Sequence, residues 1–179
     1  MLTKPKKSLG QNFLIDKNIL QKIVNSVSIY KNKEILEIGP GTGNLTHYLV
    51  KKNPKKIFVI EKDSELSLFL SEKFKNKINI INEDVLKISE NLISKQKLIV
   101  FGNLPYNIST KILSKWIIST NKSFWFSKLI LMFQKEVADR IISEINTSNY
   151  GRLSILSNWK LDIEKIMDIS RNSFFPKPK

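Results

Sequence analysis

Apolar positions along this chain recur at two spacings, one helical and one strand-like, and the two take turns. From Asp16 onward, Ile19, Leu20, Ile23, Val24 and Val27 follow helical spacing, with Asp16 placed to cap the first turn. The run Ile35-Leu36-Glu37-Ile38 predicts a buried strand that ends in Gly39-Pro40-Gly41-Thr42-Gly43. Leu45 to Val50 predict the next helix. Lys56 to Ile60 predict a second strand ending at Glu61, and Asp63 to Phe74 a helix carrying Leu66, Phe69 and Leu70. Ile78 to Ile81 predict a third strand ending near Asp84, and Leu98 to Phe101 a fourth ending at Gly102-Asn103. Ser109 is placed to cap a helix with Ile112, Leu113 and Trp116. Leu129 to Phe133 predict a fifth strand and Lys135 to Ile145 a helix. Residues 153–159 fit helix or strand, Ile163 to Ile169 predict a late strand, and a last strand is expected from about Phe174. Residues 1–13 are polar.

Strands alternating with helices imply a mostly parallel sheet covered by helices on both faces, an α/β fold of Rossmann-like type. Ligands of such sheets sit beyond the carboxyl ends of the strands, where the strand order reverses. That rule puts Gly39–Gly43, Glu61, Asp84 and Asn103 on one rim, although they are far apart in sequence. No repeat, low-complexity stretch or linker divides residues 1–179.

The rim residues suggest a ligand. Glycines between a strand and a helix let the backbone approach a ligand closely, and they also serve purely structural turns. A dinucleotide site would want a third glycine at position 44, where the chain has Asn44. The Glu61 carboxylate can accept both hydroxyls of a ribose, and that of Asp84 the exocyclic amine of an adenine. Either acid alone fits a solvated loop equally well. Together they describe an adenosine pocket that would repel phosphates. Asn103-Leu104-Pro105-Tyr106 ends the fourth strand. Pro105 biases Leu104 away from helix, so the Leu104 carbonyl can face the pocket beside the Asn103 side-chain oxygen. Tyr106 offers a flat face to a base. Two acceptors and a stacking platform suit an aromatic amine acting as a nucleophile. A proline turn with a core tyrosine is the bland alternative.

Composition narrows the partners. No apolar run approaches the roughly 18 residues of a membrane span. MLTKPKKSLG is basic but leads into no apolar stretch, so a soluble cytoplasmic protein is expected. With no cysteine and a single histidine, His47, placed on a helix, no metal is expected. The net charge of +14 points to a polyanion, and nucleic acid is the first candidate. Arg140, Arg152 and Arg171 are the only arginines. The lysine excess therefore speaks for backbone attraction and not for base reading. Lysines at 4–7 and 51–56 fit phosphate contacts or solvated runs. Trp116, Trp125 and Trp159 fit packing better than base stacking.

The chain resembles the ribosomal RNA adenine N6,N6-dimethyltransferase superfamily through most of its length. Leu9-Gly10-Gln11-Asn12-Phe13-Leu14 is similar to the superfamily's N-terminal cofactor motif, Glu37 to Gly43 to its glycine motif, and Asn103 to Ser109 to its catalytic motif. Phe133 to Ala138 and Tyr150 to Ser154 are further signatures, and Phe174-x-Pro176-x-Pro178-Lys179 resembles its closing motif. The resemblance implies a class I methyltransferase fold that binds S-adenosylmethionine through Asn12, Leu14, Gly39, Gly41, Glu61, Asp84 and Asn103. Segment 1–15 would fold over that cofactor. Asn103 and the Leu104 carbonyl would orient the target amine, and Tyr106 and Phe174 would sandwich a flipped adenine. Leu104 points to the branch that dimethylates two adjacent adenosines near the 3′ end of small-subunit rRNA during ribosome assembly. The alternatives are the branch that modifies large-subunit rRNA and confers macrolide-type resistance, and an RNA-binding assembly factor that has lost catalysis. A nicotinamide oxidoreductase fits less well. The resemblance also implies that a helical C-terminal substrate domain lies beyond this chain, and a monomer is expected.

Overall fold

The computed structural model describes residues 5–6, 9–119 and 123–178; Lys4, Lys7 and Lys179, named above, lie outside them. The chain runs β1 (Phe13–Leu14), α1 (Lys17–Asn25), β2 (Glu34–Ile38), α2 (Asn44–Lys51), β3 (Lys56–Ile60), α3 (Ser64–Phe74), β4 (Asn79–Ile81), β5 (Leu98–Asn103), α4 (Ser109–Ile118), β6 (Phe126–Met132), α5 (Lys135–Ile141), α6 (Arg152–Lys160) and β7 (Phe174–Phe175). β2 to β6 form one parallel sheet in the order β4-β3-β2-β5-β6. β2 pairs with β3 on one side and β5 on the other, so the strand order reverses there, and a ligand site is expected at its carboxyl end.

Alternation along each strand sorts side chains to two faces. Ile35, Ile57, Val59, Ile99 and Phe101 pack against Leu20, Ile23, Val24, Leu45, Leu49, Leu70 and Phe74 of α1, α2 and α3. Leu36, Ile38, Ile60, Leu98 and Val100 pack on the other face against Ile112 and Trp116 of α4. A smaller cluster of Leu113, Ile117 and Ile141 joins α4 to α5, and Leu153 and Leu156 of α6 pack against it.

Lys115 ties α4 to the chain between β4 and β5. Its ammonium donates to the Val85 carbonyl at 3.3 Å, the Ile88 carbonyl at 2.6 Å and Glu90 Oε1 at 2.9 Å. Trp116 Nε1 donates to the same Glu90 oxygen at 2.6 Å. The helix that follows the Asn103–Tyr106 loop therefore also fixes the loop that carries Asp84.

Several boundaries differ from expectation. Asp16 and Asp63 cap α1 and α3 with their carboxylates, but Ser109 is the first residue of α4 and Ile108 the cap. The Ser109 hydroxyl donates back to the Tyr106 carbonyl at 3.3 Å instead. β6 begins at Phe126, ahead of Leu129, because polar Lys128 stays in the ladder opposite Ile99 and Ser127 is taken up as a bulge. α5 stops at Ile141, not Ile145: the Ser143 hydroxyl takes the Arg140 carbonyl, and Asn146 turns to φ 70°. Residues 152–160 are helical. Ile163 to Ile169 have no regular secondary structure and join no ladder among the described residues, so the predicted late strand does not form. The strand at Phe174 does form, yet it pairs antiparallel with β1, an element absent from the sequence reading: Phe13 faces Phe175 and Leu14 faces Phe174.

Candidate functional site

The turn after β2, the ends of β3 and β5, and the loop after β4 converge on one cleft. The cleft encloses about 980 Å³ of space, open mouth included. Gly39, Gly41, Glu61, Asp84, Asn103, Leu104 and Tyr106 all line it. Residues Leu9 to Phe13 form its remaining wall.

The glycine turn is shaped for that wall. Gly39 and Gly41 adopt φ of 63° and 56°, which disfavour any side chain. A Cβ on Gly41 would also lie 2.6 Å from Phe13 Cδ1. The N-terminal segment is fastened at both ends. Lys6 Nζ and Gln11 Nε2 donate to the two oxygens of Asp63 at 2.9 and 3.1 Å. Asn44 Nδ2 donates to the Leu14 carbonyl at 2.8 Å, and the Ile15 N–H to the Ser173 carbonyl at 2.8 Å. Burial alone would raise the Asp63 carboxyl, but the bonds from Lys6 and Gln11 outweigh it and hold it below its usual range.

Glu61 is 7% exposed. Its Oε2 accepts the Gly41 N–H at 3.2 Å and its Oε1 the Asp63 N–H at 2.9 Å, so it braces the glycine turn. Burial pushes its pKa up. Each oxygen keeps capacity for a hydroxyl donor. Asp84 Oδ1 accepts the Leu86 N–H at 2.9 Å, and Oδ2 pairs with Lys62 Nζ at 3.0 Å. The Leu86 bond, helped by Lys62, holds this carboxyl below its usual range against some burial. Among the described residues Lys62 is the one lysine in the cleft wall, and Asp84 takes up its charge.

Asn103 Nδ2 donates to the Asn12 carbonyl at 2.7 Å. That bond fixes the orientation of the amide and leaves Oδ1 as the acceptor for a ligand. Leu104 is buried at the cleft, and half-buried Tyr106 completes the wall, its phenol pushed up by burial. Leu14 lines a smaller neighbouring cavity with Glu37, Gly39 and Asn103. Phe174 is buried in the core beside Leu14 and is not among the residues lining the cleft, whereas Phe175 is 59% exposed. Trp116 is core, Trp125 packs edge-on against it at 5.3 Å, and Trp159 is exposed. Among the described residues no group of three or more His, Cys, Asp or Glu is placed to hold a metal.

Glu37 is a buried acid that the sequence reading treated only as part of a motif. Its Oε2 accepts the Thr46 hydroxyl at 2.7 Å. Burial, with Glu61 nearby, raises its pKa from 4.5 to about 7. The unfolded chain releases this proton near 4.5 and the folded chain near 7, so stability falls as pH rises between those values. The loss is at most about 3 kcal/mol. Glu37→Gln keeps the acceptor without the charge. Thermal unfolding should show a higher Tm at pH 8, by about 5 °C, and little gain at pH 4. Equal shifts at both pH values would contradict a buried charge.

The chain matches the family described as "Ribosomal RNA adenine dimethylase" over residues 2–179. It is 66% identical to Ribosomal RNA small subunit methyltransferase A of Pelagibacter ubique, across 100% of this chain and 68% of that protein. Against the protein of the same name from Mycoplasma mobile, identity is 47% over 97% of this chain and 66% of the relative. The chain thus spans about two thirds of the length of these relatives. Among solved structures, a dimethyladenosine transferase from Plasmodium falciparum superimposes with a TM-score of 0.80 at 33% identity, covering 93% of this chain and 59% of that one. The 23S rRNA methyltransferase ErmE gives 0.74 at 26% identity, covering 93% and 65%.

Proposed function

This chain belongs to the ribosomal RNA adenine dimethylase family, and on that premise we propose that it transfers methyl groups from S-adenosylmethionine to N6 of two adjacent adenosines in small-subunit rRNA. The observation that carries the proposal is the convergence of Gly39, Gly41, Glu61, Asp84, Asn103 and Tyr106 on one cleft at the sheet's switch point. The residues present fit the cofactor: two acceptor carboxylates, a glycine turn in which Phe13 leaves no room for a side chain at Gly41, and a Lys62 whose charge Asp84 already takes up. Glu61 would hold the ribose hydroxyls and Asp84 the adenine amine. Asn12 and Leu14, with residues 9–15, close the site from the side. When bound, the cofactor supplies a methyl group already activated by a sulfonium charge, so the chain needs no strong base.

The chain's own work is to hold a poor nucleophile. The N6 lone pair of adenine is delocalised into its ring. Asn103 Oδ1 and the Leu104 carbonyl accept its two hydrogens, which fixes the amine and favours a pyramidal nitrogen. Tyr106 stacks on the flipped base, whereas Phe174, buried in the core beside Leu14, does not line the cleft to offer a second face. Such positioning supplies much of the rate. The protein acts as a monomer, in the cytoplasm where ribosomes assemble, with immature small subunits as its partner. Among the described residues no helix is long and apolar enough to cross a membrane.

The test is to incubate the chain with methyl-labelled S-adenosylmethionine and small subunits that lack the modification, then digest the RNA to nucleosides. Label should appear in N6,N6-dimethyladenosine. Label confined to another nucleoside, or to large-subunit RNA, would overturn the proposal.

A further inference from the structure

The parallel sheet sorts the chain's loops to two ends. The cleft lies at the carboxyl ends of the strands. The loops that enter β2, β3, β4 and β5 lie at the opposite end, and these four strands are neighbours in the sheet. Each of the four loops is lysine-rich. Lys31 and Lys33 precede β2. Lys52 and Lys55 precede β3, and Lys56 opens it. Lys75 and Lys77 precede β4, and Lys95 and Lys97 precede β5. All but Lys33 are exposed. Scattered in sequence, they form one rim about 15 Å across at the ordinary spacing of strands.

The rim is built and not merely decorated. Glu34 sits beneath it, buried. Its Oε1 faces Lys55 Nζ at 3.3 Å, and its Oε2 accepts the Ser94 hydroxyl at 2.6 Å. The Lys55 N–H donates to the Lys33 carbonyl at 2.8 Å. One buried acid thus knits three of the four loops, and its charge is spent inward. Among the described residues, none of the rim lysines other than Lys55 forms a salt bridge. Among the described residues, the large apolar side chains that these loops expose are Tyr30, at 63%, and Leu92, at 81%.

We propose that this rim, opposite the cleft, is a second RNA-binding surface that grips the phosphate backbone of a double-helical segment distinct from the strand entering the cleft. Point charges without arginine forks suit phosphate and not base edges. A surface this dense in lysine disfavours a protein partner, because the cores of protein interfaces are poor in lysine. A five-residue strand separates rim from cleft by about 17 Å before the loops are added, so the nucleotides flanking a flipped base do not reach the rim. A folded RNA with several helices does. The inference rests on the reading of ribosomal RNA as substrate.

Binding of a labelled RNA duplex, measured against salt, tests it. A rim variant carries Lys31→Gln, Lys95→Gln and Lys97→Gln, and a control carries Lys17→Gln, Lys22→Gln and Lys135→Gln, an equal charge change on other faces. Each lost phosphate contact lowers the slope of log K against log salt by roughly 0.7 to 0.9. The rim variant should lose about 2 in slope and at least about tenfold in affinity at low salt, with S-adenosylmethionine binding unchanged. The control should stay near the parent. Equal losses in both variants would show a general charge effect and overturn the proposal, as would a rim variant that binds like the parent. A parent that binds no RNA at all would remove the substrate reading and this surface with it.

Discussion

Asn103→Ala should slow methyl transfer by about two to three orders of magnitude at saturating cofactor, the scale seen when one preorganised polar contact to a reacting group is removed. The amide does two jobs in the structure. Its Nδ2 holds the Asn12 carbonyl at 2.7 Å, which leaves Oδ1 as the acceptor proposed for the amine. Losing one hydrogen bond to the wall costs about 1 kcal/mol, less than tenfold in cofactor affinity. The two effects separate in single-turnover kinetics: a large fall in rate beside a small fall in affinity. A variant that transfers methyl groups within tenfold of the parent would remove Asn103 from the reaction.

Trp116→Ala should cost about 3 to 5 kcal/mol of stability, the range for deleting a large buried aromatic. Trp116 is 0% exposed and packs with Ile112, Leu36 and Val100 between α4 and the sheet. The same change strips the indole N–H from Glu90, leaving Lys115 to hold that buried acid alone. A domain of this size has a net stability of roughly 5 to 15 kcal/mol, so the loss is a large share of the total. Chemical denaturation reads it directly. Trp116→Phe, which keeps a ring but not the N–H, should cost about 1 to 3 kcal/mol. A Trp116→Ala protein as stable as the parent would mean that this core is not the clamp described above.

The sheet and the cleft were legible because both rest on local signals. Apolar runs of strand length ended at glycine or a polar residue, and the parallel-sheet rule gathered Gly39, Glu61, Asp84 and Asn103 at one rim, where the structure has them. What the sequence hid depends on long-range pairing. Phe13–Leu14 carries no strand signal and becomes one only against Phe174–Phe175. Ile163 to Ile169 carries the signal and finds no ladder. The Lys6 and Gln11 bonds to Asp63 and the Lys62 pairing with Asp84 join residues 22 to 57 positions apart, beyond any periodicity. Glu37 looked like another strand residue; its unusual acidity comes from full burial under α2. The lysines of the far rim were legible only as an overall charge excess, because only the parallel sheet brings their loops side by side.

The most direct test of the central claim is a calorimetric titration of S-adenosylmethionine into this chain and into Asp84→Ala. One-site binding by the parent, weakened tenfold or more in the variant, is the predicted result. A folded parent that binds no S-adenosylmethionine, or a variant that binds it equally well, would contradict the adenosine cleft.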